Sequence, residues 1–215
     1  MDPDDWPLAH LRLRYDVVEL RPVADDDLGE LARLLPDDFE HDPRAALLPW
    51  LDLAGNRRRL LLQNVWRARG TWSSDSWVLH LVVLRDGRRV GVQTLEADDF
   101  PGVATVDTAS WLVREVRGRG VGVAMRSAVL GLAFDHLGAV AAVTSAREDN
   151  HASLGVSRRV GYTDNGVSLN ASGSGRAVLQ HLRMTAEQWR ASGRGTGVEV
   201  SGLEPCRRWF GAATR

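Results

Sequence analysis

Arg117-Gly118-Arg119-Gly120-Val121-Gly122 is the stretch on which the reading of this chain turns. Residues 105–113 before it, Thr-Val-Asp-Thr-Ala-Ser-Trp-Leu-Val, are rich in β-branched and aromatic types and read as a strand. After it, Val121, Met125, Ala128 and Leu132 recur at helical spacing, and the pattern runs to Leu137. A glycine-rich turn between a strand and a helix start suits an anion. Glycine lets the backbone curl and approach a ligand closely. The unbonded N–H groups of the first helical turn then face phosphate oxygens, with the helix dipole assisting. The same glycines also describe a plain flexible loop before a helix. Two well-known phosphate motifs do not fit. A P-loop needs Lys after the glycines, and a dinucleotide fingerprint needs a third glycine where Val123 stands.

Working outward, Asn150-His151-Ala152-Ser153 and Gly161-Tyr162 follow downstream, and Asp107 precedes Trp111-Leu112 upstream. Together with Arg117, Gly120 and Gly122 these resemble, in order and spacing, the marks of the GNAT N-acyltransferases, in their RimJ/RimL-like branch. The resemblance covers residues 16–184. Trp6-Pro7-Leu8, Gly91-Val92-Gln93, residues 157–166 and residues 206–211 resemble stretches of actinobacterial members of that branch. It implies a GNAT fold, α/β (α+β) with a mixed central sheet flanked by helices, and acetyl-CoA or another acyl-CoA such as succinyl-CoA as co-substrate. The backbone amides of Arg117, Gly118, Arg119, Gly120, Val121, Gly122 and Val123 would hold the pyrophosphate. The backbone of Trp111, Leu112 and Val113 would bind pantetheine and supply the oxyanion donor. Asn150 and Ser153 would contact the arm or the thiol.

Composition agrees with a single enzyme-sized domain. The 215 residues suit one domain with appendages. A net charge of −1 does not suggest a nucleic-acid partner. All 27 basic residues are arginine, which excludes a lysine nucleophile. The single cysteine, Cys206, cannot form an internal disulfide. With no secretory pattern and no membrane-length apolar run, a cytoplasmic protein without membrane or metal is expected. The six histidines show no helical metal spacing.

Along the chain the pattern predicts an extended arm at 6–14, a strand at 17–23, a helix after Asp25-Asp26-Asp27 that stops at Pro36, and a loop with a short helical piece at 41–53. A second helix is expected at 57–69, then a strand hairpin at 77–96 turning on Asp86-Gly87. A polar loop at 98–102 leads to the 105–113 strand. A short strand at 140–144, a helix at 153–159, strands at 162–169 and 176–184, and a helix at 185–191 complete the domain. Asn170-Ala171-Ser172 reads as a polar turn. The tail, 192–215, carries Val198, Val200, Leu203, Trp209 and Phe210 and is too apolar for a linker. It is expected to add an edge strand and a short helical cap, docked on the domain or across a two-fold contact. The second is preferred because cyclic dimers are the commonest assembly, so a homodimer is expected.

Acyl transfer to an amine needs a base, an oxyanion donor and a proton source for the thiolate. Asp107, the only acid in its strand, is the base candidate, with an outward-facing edge carboxylate as the alternative. In the family a tyrosine on the short helix is the usual acid; the matching position here is Ser157. Ser153 and Ser157, four apart, share a helix face and are the remaining proton donors. Arg114, Arg117 and Arg119 add charge near the cradle or form a solvated loop. Tyr162, His80 and His181 read as core residues. Trp50, Trp66, Trp72 and Trp77 form either ordinary core or an aromatic acceptor wall. The function expected is transfer of acetyl from acetyl-CoA to a primary amine, on a small molecule or a protein, by direct attack. N-succinyl transfer and a non-catalytic CoA-binding module are the alternatives.

Overall fold

The computed structural model describes residues 5–39, 45–172 and 175–212. Among the described residues nine strands form one sheet in the order β7-β8-β6-β5-β4-β3-β2-β1-β9. Their ranges are β1 Arg12–Tyr15, β2 Val18–Pro22, β3 Trp77–Arg85, β4 Arg88–Ala97, β5 Thr105–Leu112, β6 Ala141–Arg147, β7 Thr163–Ser172, β8 Gly175–Thr185 and β9 Glu199–Ser201. Among the described strands only β5 and β6 pair in parallel. The helices are α1 Asp25–Leu34, α2 Leu53–Gly70, α3 Phe100–Val103, α4 Val121–Gly131, α5 His151–Val160 and α6 Ala186–Ser192.

Side-chain alternation along the strands gives the sheet two different faces. Leu79, Leu81 and Val83 of β3 enter the main core, with Val121, Met125, Ala128 and Val129 of α4. Val82 and Val92 enter a smaller core on the other face, beneath Leu28 and Leu31 of α1 and Leu61 and Val65 of α2. Asp27 fixes the entry to α1. Its carboxylate accepts the Ala24 N–H and pairs with Arg21 and Arg89 at 2.6 and 2.7 Å, while only 1% exposed. Burial alone would raise its pKa, but the Arg21 bond, the Ala24 N–H and Arg89 together hold it at about 2. At the start of α2, Asn56 is buried and ties Leu48 and Leu51 to the helix. Part of the loop expected at 41–53 lies outside the described residues.

Several boundaries differ from the sequence reading. The arm contains β1, hairpinned to β2 through Asp16, whose φ is +51°. The polar loop holds the one-turn α3. The long helix after the cradle is α-helical only to Gly131 and continues as a π-turn, Leu132–Leu137. Gly131 lies against Val198 of the tail; a Cβ there would meet that side chain at 2.7 Å. Asn170 is not in a turn: it lies within β7, paired with Ala177.

The tail is part of the domain's own core. β9 extends the sheet on β1, with Val200 opposite Leu13. A 3-10 helix, Glu204–Phe210, then buries Leu203, Cys206 and Phe210. Trp72 and Trp77 donate their indole N–H groups to the carbonyls of Trp209 and Phe210. Trp6 packs edge-on to both Trp72 and Trp209. These apolar groups are covered within one chain, so they do not call for a second subunit.

Candidate active site

The glycine turn lies between β5 and α4, where the strand–glycine–helix reading put it. Gly118 and Gly120 have φ of +74° and +83°, the left-handed region that glycine enters without strain. Gly120 is the N-cap of α4, and the first intrahelical bond is Ala124 N–H to Gly120 O. The N–H groups of Val121, Gly122 and Val123 therefore have no partner inside the helix. Gly122 serves packing: a Cβ there would lie 2.9 Å from Val156 of α5. Glycine thus brings α5 against the cradle.

Above the cradle the sheet splits. β5 and β6 pair at only three rungs, ending at Asp107 opposite Val143. Past that point Thr144 Oγ1 donates to the Thr108 carbonyl at 2.8 Å, and β5 continues to Leu112 paired with β4 alone. The Val113 N–H is used by the Val90 carbonyl. Backbone groups alternate along a strand, so Trp111 also faces β4, while Ser110 and Leu112 face the fork. Of the three backbone positions expected to bind pantetheine, Leu112 is the one turned towards the opening. A V-shaped fork whose backbone is only partly paired, ending at a helix N-terminus with three N–H groups that have no partner inside the helix, fits an extended arm with a pyrophosphate at its end.

α5 forms one side of the fork. Asn150 caps it: its Oδ1 accepts the Ser153 N–H at 3.0 Å. Ser157 is 1% exposed, and its hydroxyl donates to the Ser153 carbonyl at 3.1 Å. Arg117 does not extend over the cradle. Its Nε donates to the Leu112 carbonyl and its two Nη groups to Asp38, at 2.7 and 3.0 Å. That pairing holds the Asp38 carboxyl below its usual range. Arg114 approaches the same carboxylate at 3.8 Å. Arg119 borders a depression with Arg85, Arg88 and Val90.

Asp107 points to the α2 face, the same face as Trp111. It lines a cleft of about 580 Å3 with Thr71, Trp77, Glu96, Asp98 and Thr105, and no basic side chain appears in the lining. Glu96 stands directly opposite Asp107 across β4–β5. Burial raises the Asp107 carboxyl; the Thr108 N–H and the charges of Arg126 and His181 pull it back only in part. Glu96 is raised by burial and then by the charge of Asp107. His80, on the same face, is pushed down to about 4 by burial, as a core histidine bonded to Thr94. Trp72 and Trp77 are core, whereas Trp50 and Trp66 are 75% and 51% exposed.

The sequence reading missed Glu96 and Arg126. Arg126 lies in the main core at 2% exposure, over the Tyr162 ring with Cζ 6.0 Å from its centroid. It reaches the hydroxyls of Ser110, Thr144 and Ser157 at 3.4–3.5 Å. Tyr162 is itself buried, with its hydroxyl 3.3 Å from Thr108. Gln93, opposite Ser110, leaves its Oε1 unpartnered. The signal for Glu96 was register alone. For Arg126 it was an arginine inside an otherwise apolar helical run.

Among the described residues no group of three or more His, Cys, Asp or Glu could hold a metal, and no helix is long and apolar enough to cross a membrane. Residues 18–163 match the family model described as "Acetyltransferase (GNAT) domain". Among solved structures, the chain is similar to Mycobacterium smegmatis RimJ in complex with CoA-disulfide, at 19% identity over 87% of this chain and 97% of that one, with a TM-score of 0.63. It is also similar to RimL, a ribosomal L7/L12 alpha-N-protein acetyltransferase, at 18% identity over 81% and 93%, with a TM-score of 0.63. A chimera of the spermidine N-acetyltransferase SpeG from Vibrio cholerae and hSSAT matches at 11% identity over 81% and 99%, also at 0.63. With its glycine cradle, split sheet and matching domain model, the chain belongs to the GNAT family of acetyltransferases, with RimJ and RimL among its structural neighbours.

Proposed function

We propose that the protein transfers the acetyl group of acetyl-CoA to a primary amine by direct attack, with Asp107 as general base. The observation that carries this reading is the position of Asp107 at the last rung before the fork. There the opening above the cradle meets the acidic cleft on the α2 face.

The backbone N–H groups from Gly118 to Val123 hold the pyrophosphate, and the fork-facing backbone of Ser110 and Leu112 receives the arm. An amine enters from the α2 side, where Glu96, Asp98 and Asp107 favour a cationic group. Asp107 takes the proton lost as the amine nitrogen attacks, and its raised pKa brings it nearer to that task. A fork-facing N–H donates to the carbonyl oxygen as negative charge develops there. Ser153 or Ser157, directly or through a water, donates a hydrogen bond to the departing thiolate. The separation of faces supports a ternary complex, since donor and acceptor approach from opposite sides of the sheet.

Asp107→Asn tests the reading. Turnover with an amine panel is expected to fall about 10²–10⁴-fold, the range of general acid–base groups, with CoA affinity unchanged. Full turnover in Asp107→Asn would remove Asp107 from the mechanism.

A further inference from the structure

Arg126 is a cation held where charge is expensive. Its side chain is among the largest fully buried ones. No ion pair joins it to a carboxylate among the described residues; its partners are neutral hydroxyls, those of Ser110, Thr144 and Ser157 at 3.4–3.5 Å and that of Tyr162, and its Nε has none. Charge-assisted bonds are normally about 2.7–2.9 Å, so these bonds recover little of the lost hydration. A guanidinium cannot shed its proton to escape the cost, as a buried lysine can. A leucine or methionine would fill the same space on α4 without that cost.

Its place in the fold accounts for it. Ser110 is on β5, Thr144 on β6 and Ser157 on α5, so the guanidinium spans the floor of the fork just past the last rung. This is the part of the molecule that receives the thioester in the function proposed above, on which this inference rests. During transfer the amine nitrogen bonds to the carbonyl carbon and the C–S bond breaks. The bonding pair goes to sulfur, and the amine proton goes to Asp107. Sulfur then carries a full negative charge in the fork, with no tyrosine on α5 to meet it.

We propose that Arg126 is a positioning residue which, through the Ser157 hydroxyl, stabilises the departing CoA thiolate. Arg126 donates to Ser157 Oγ, which leaves that hydroxyl proton directed away from the guanidinium. At rest it goes to the Ser153 carbonyl, an acceptor that also faces the N–H four residues on in the helix. As charge builds on sulfur, the proton turns to sulfur and the cation behind it lowers the energy of the charged state. Asp107 and Tyr162 are the titratable groups coupled to Arg126; Asp107 lies on the opposite face and Tyr162 is buried.

The readout is the thiol of bound CoA, followed by thiolate ultraviolet absorbance against pH. In the native protein the bound thiol is expected to ionise at lower pH than free CoA. Arg126→Met should abolish that shift, Arg126→Lys should keep part of it, and Ser157→Ala should reduce it with Arg126 still in place. Turnover of acetyl-CoA in Arg126→Met should fall by about 10²-fold, as for loss of one preorganised donor. If Arg126→Met does not fold, Ser157→Ala alone decides: an undiminished thiol shift overturns the proposal. Equal thiol ionisation in native and Arg126→Met protein at equal CoA affinity also overturns it, leaving the acetyltransferase reading intact. A loss confined to donors with a carboxylate on the acyl chain overturns it in favour of an acyl-reading role. Failure of the native protein to bind CoA sinks both readings.

Discussion

Replacing Phe210 by alanine should unfold the protein at a markedly lower temperature, although the residue lies far from the cradle. Its ring is fully buried. It packs edge-on to Trp77 at 4.9 Å and to Trp72 at 5.5 Å between centroids. Truncating a buried phenylalanine costs about 3–5 kcal/mol, through lost transfer energy and the cavity left behind. The Phe210 carbonyl still accepts from Trp77, so the hydrogen bond survives and the loss is one of packing. Against a typical total of about 5–15 kcal/mol this is a large share. For a chain of this size each kcal/mol moves the midpoint by about 2–4 °C, which gives a fall of about 6–20 °C. Urea and thermal unfolding followed by far-ultraviolet circular dichroism measure it. Trp50→Ala, at a 75% exposed position, is the control and should stay within about 0.5 kcal/mol. A loss below about 1 kcal/mol in Phe210→Ala would refute the argument that the tail completes the core.

The cradle, the α1 entry and the base give further expectations. Gly120→Val places a β-branched residue at φ +83°, a strain of about 1–2 kcal/mol, and should weaken CoA binding by calorimetry at least about tenfold; unchanged affinity would remove the cradle assignment. Asp27→Asn should cost about 2 kcal/mol near neutrality, from a shift of 3.8 to about 2 in the folded state. Because that pKa is depressed, the contribution is present above the unfolded value of 3.8 and is lost as pH falls through about 2; a pH-independent difference between native and Asp27→Asn would contradict it. The Asp107 pKa is raised, so turnover should climb with pH through a carboxylate step lying above the ordinary aspartate range, and that step should vanish in Asp107→Asn.

What the sequence disclosed depended on how local the cause was. The Asp86-Gly87 hairpin and the strand–glycine–helix passage are set by residues adjacent in the chain, and both formed as expected. The apolar tail was legible because its composition demands cover. The capture of Arg117 by Asp38, 79 residues away, has no local signature. The short β1 has too few alternating positions to stand out, and it is made a strand by partners on both sides, β2 and β9. Glu96 became part of the acidic cleft only through the register that sets it opposite Asp107. Arg126 escaped notice for a different reason. Residue type predicts exposure for arginine, and the fold overrides that preference at Arg126.

The placement of Phe210 and β9 has a consequence for how the protein is made. Translation delivers the cradle, the fork and the acidic cleft well before the last strand and the aromatic plug that complete the sheet and core beside β1 and β3. Until residues 198–210 have emerged from the ribosome, Leu13 lacks its neighbour Val200, and Trp72 and Trp77 lack Phe210. Domains generally fold as units as they emerge, so maturation here waits on the emergence of residues 198–210. A chain interrupted before residue 198 would present the glycine turn and the fork beside an open edge at β1, the kind of product that chaperones and proteases detect.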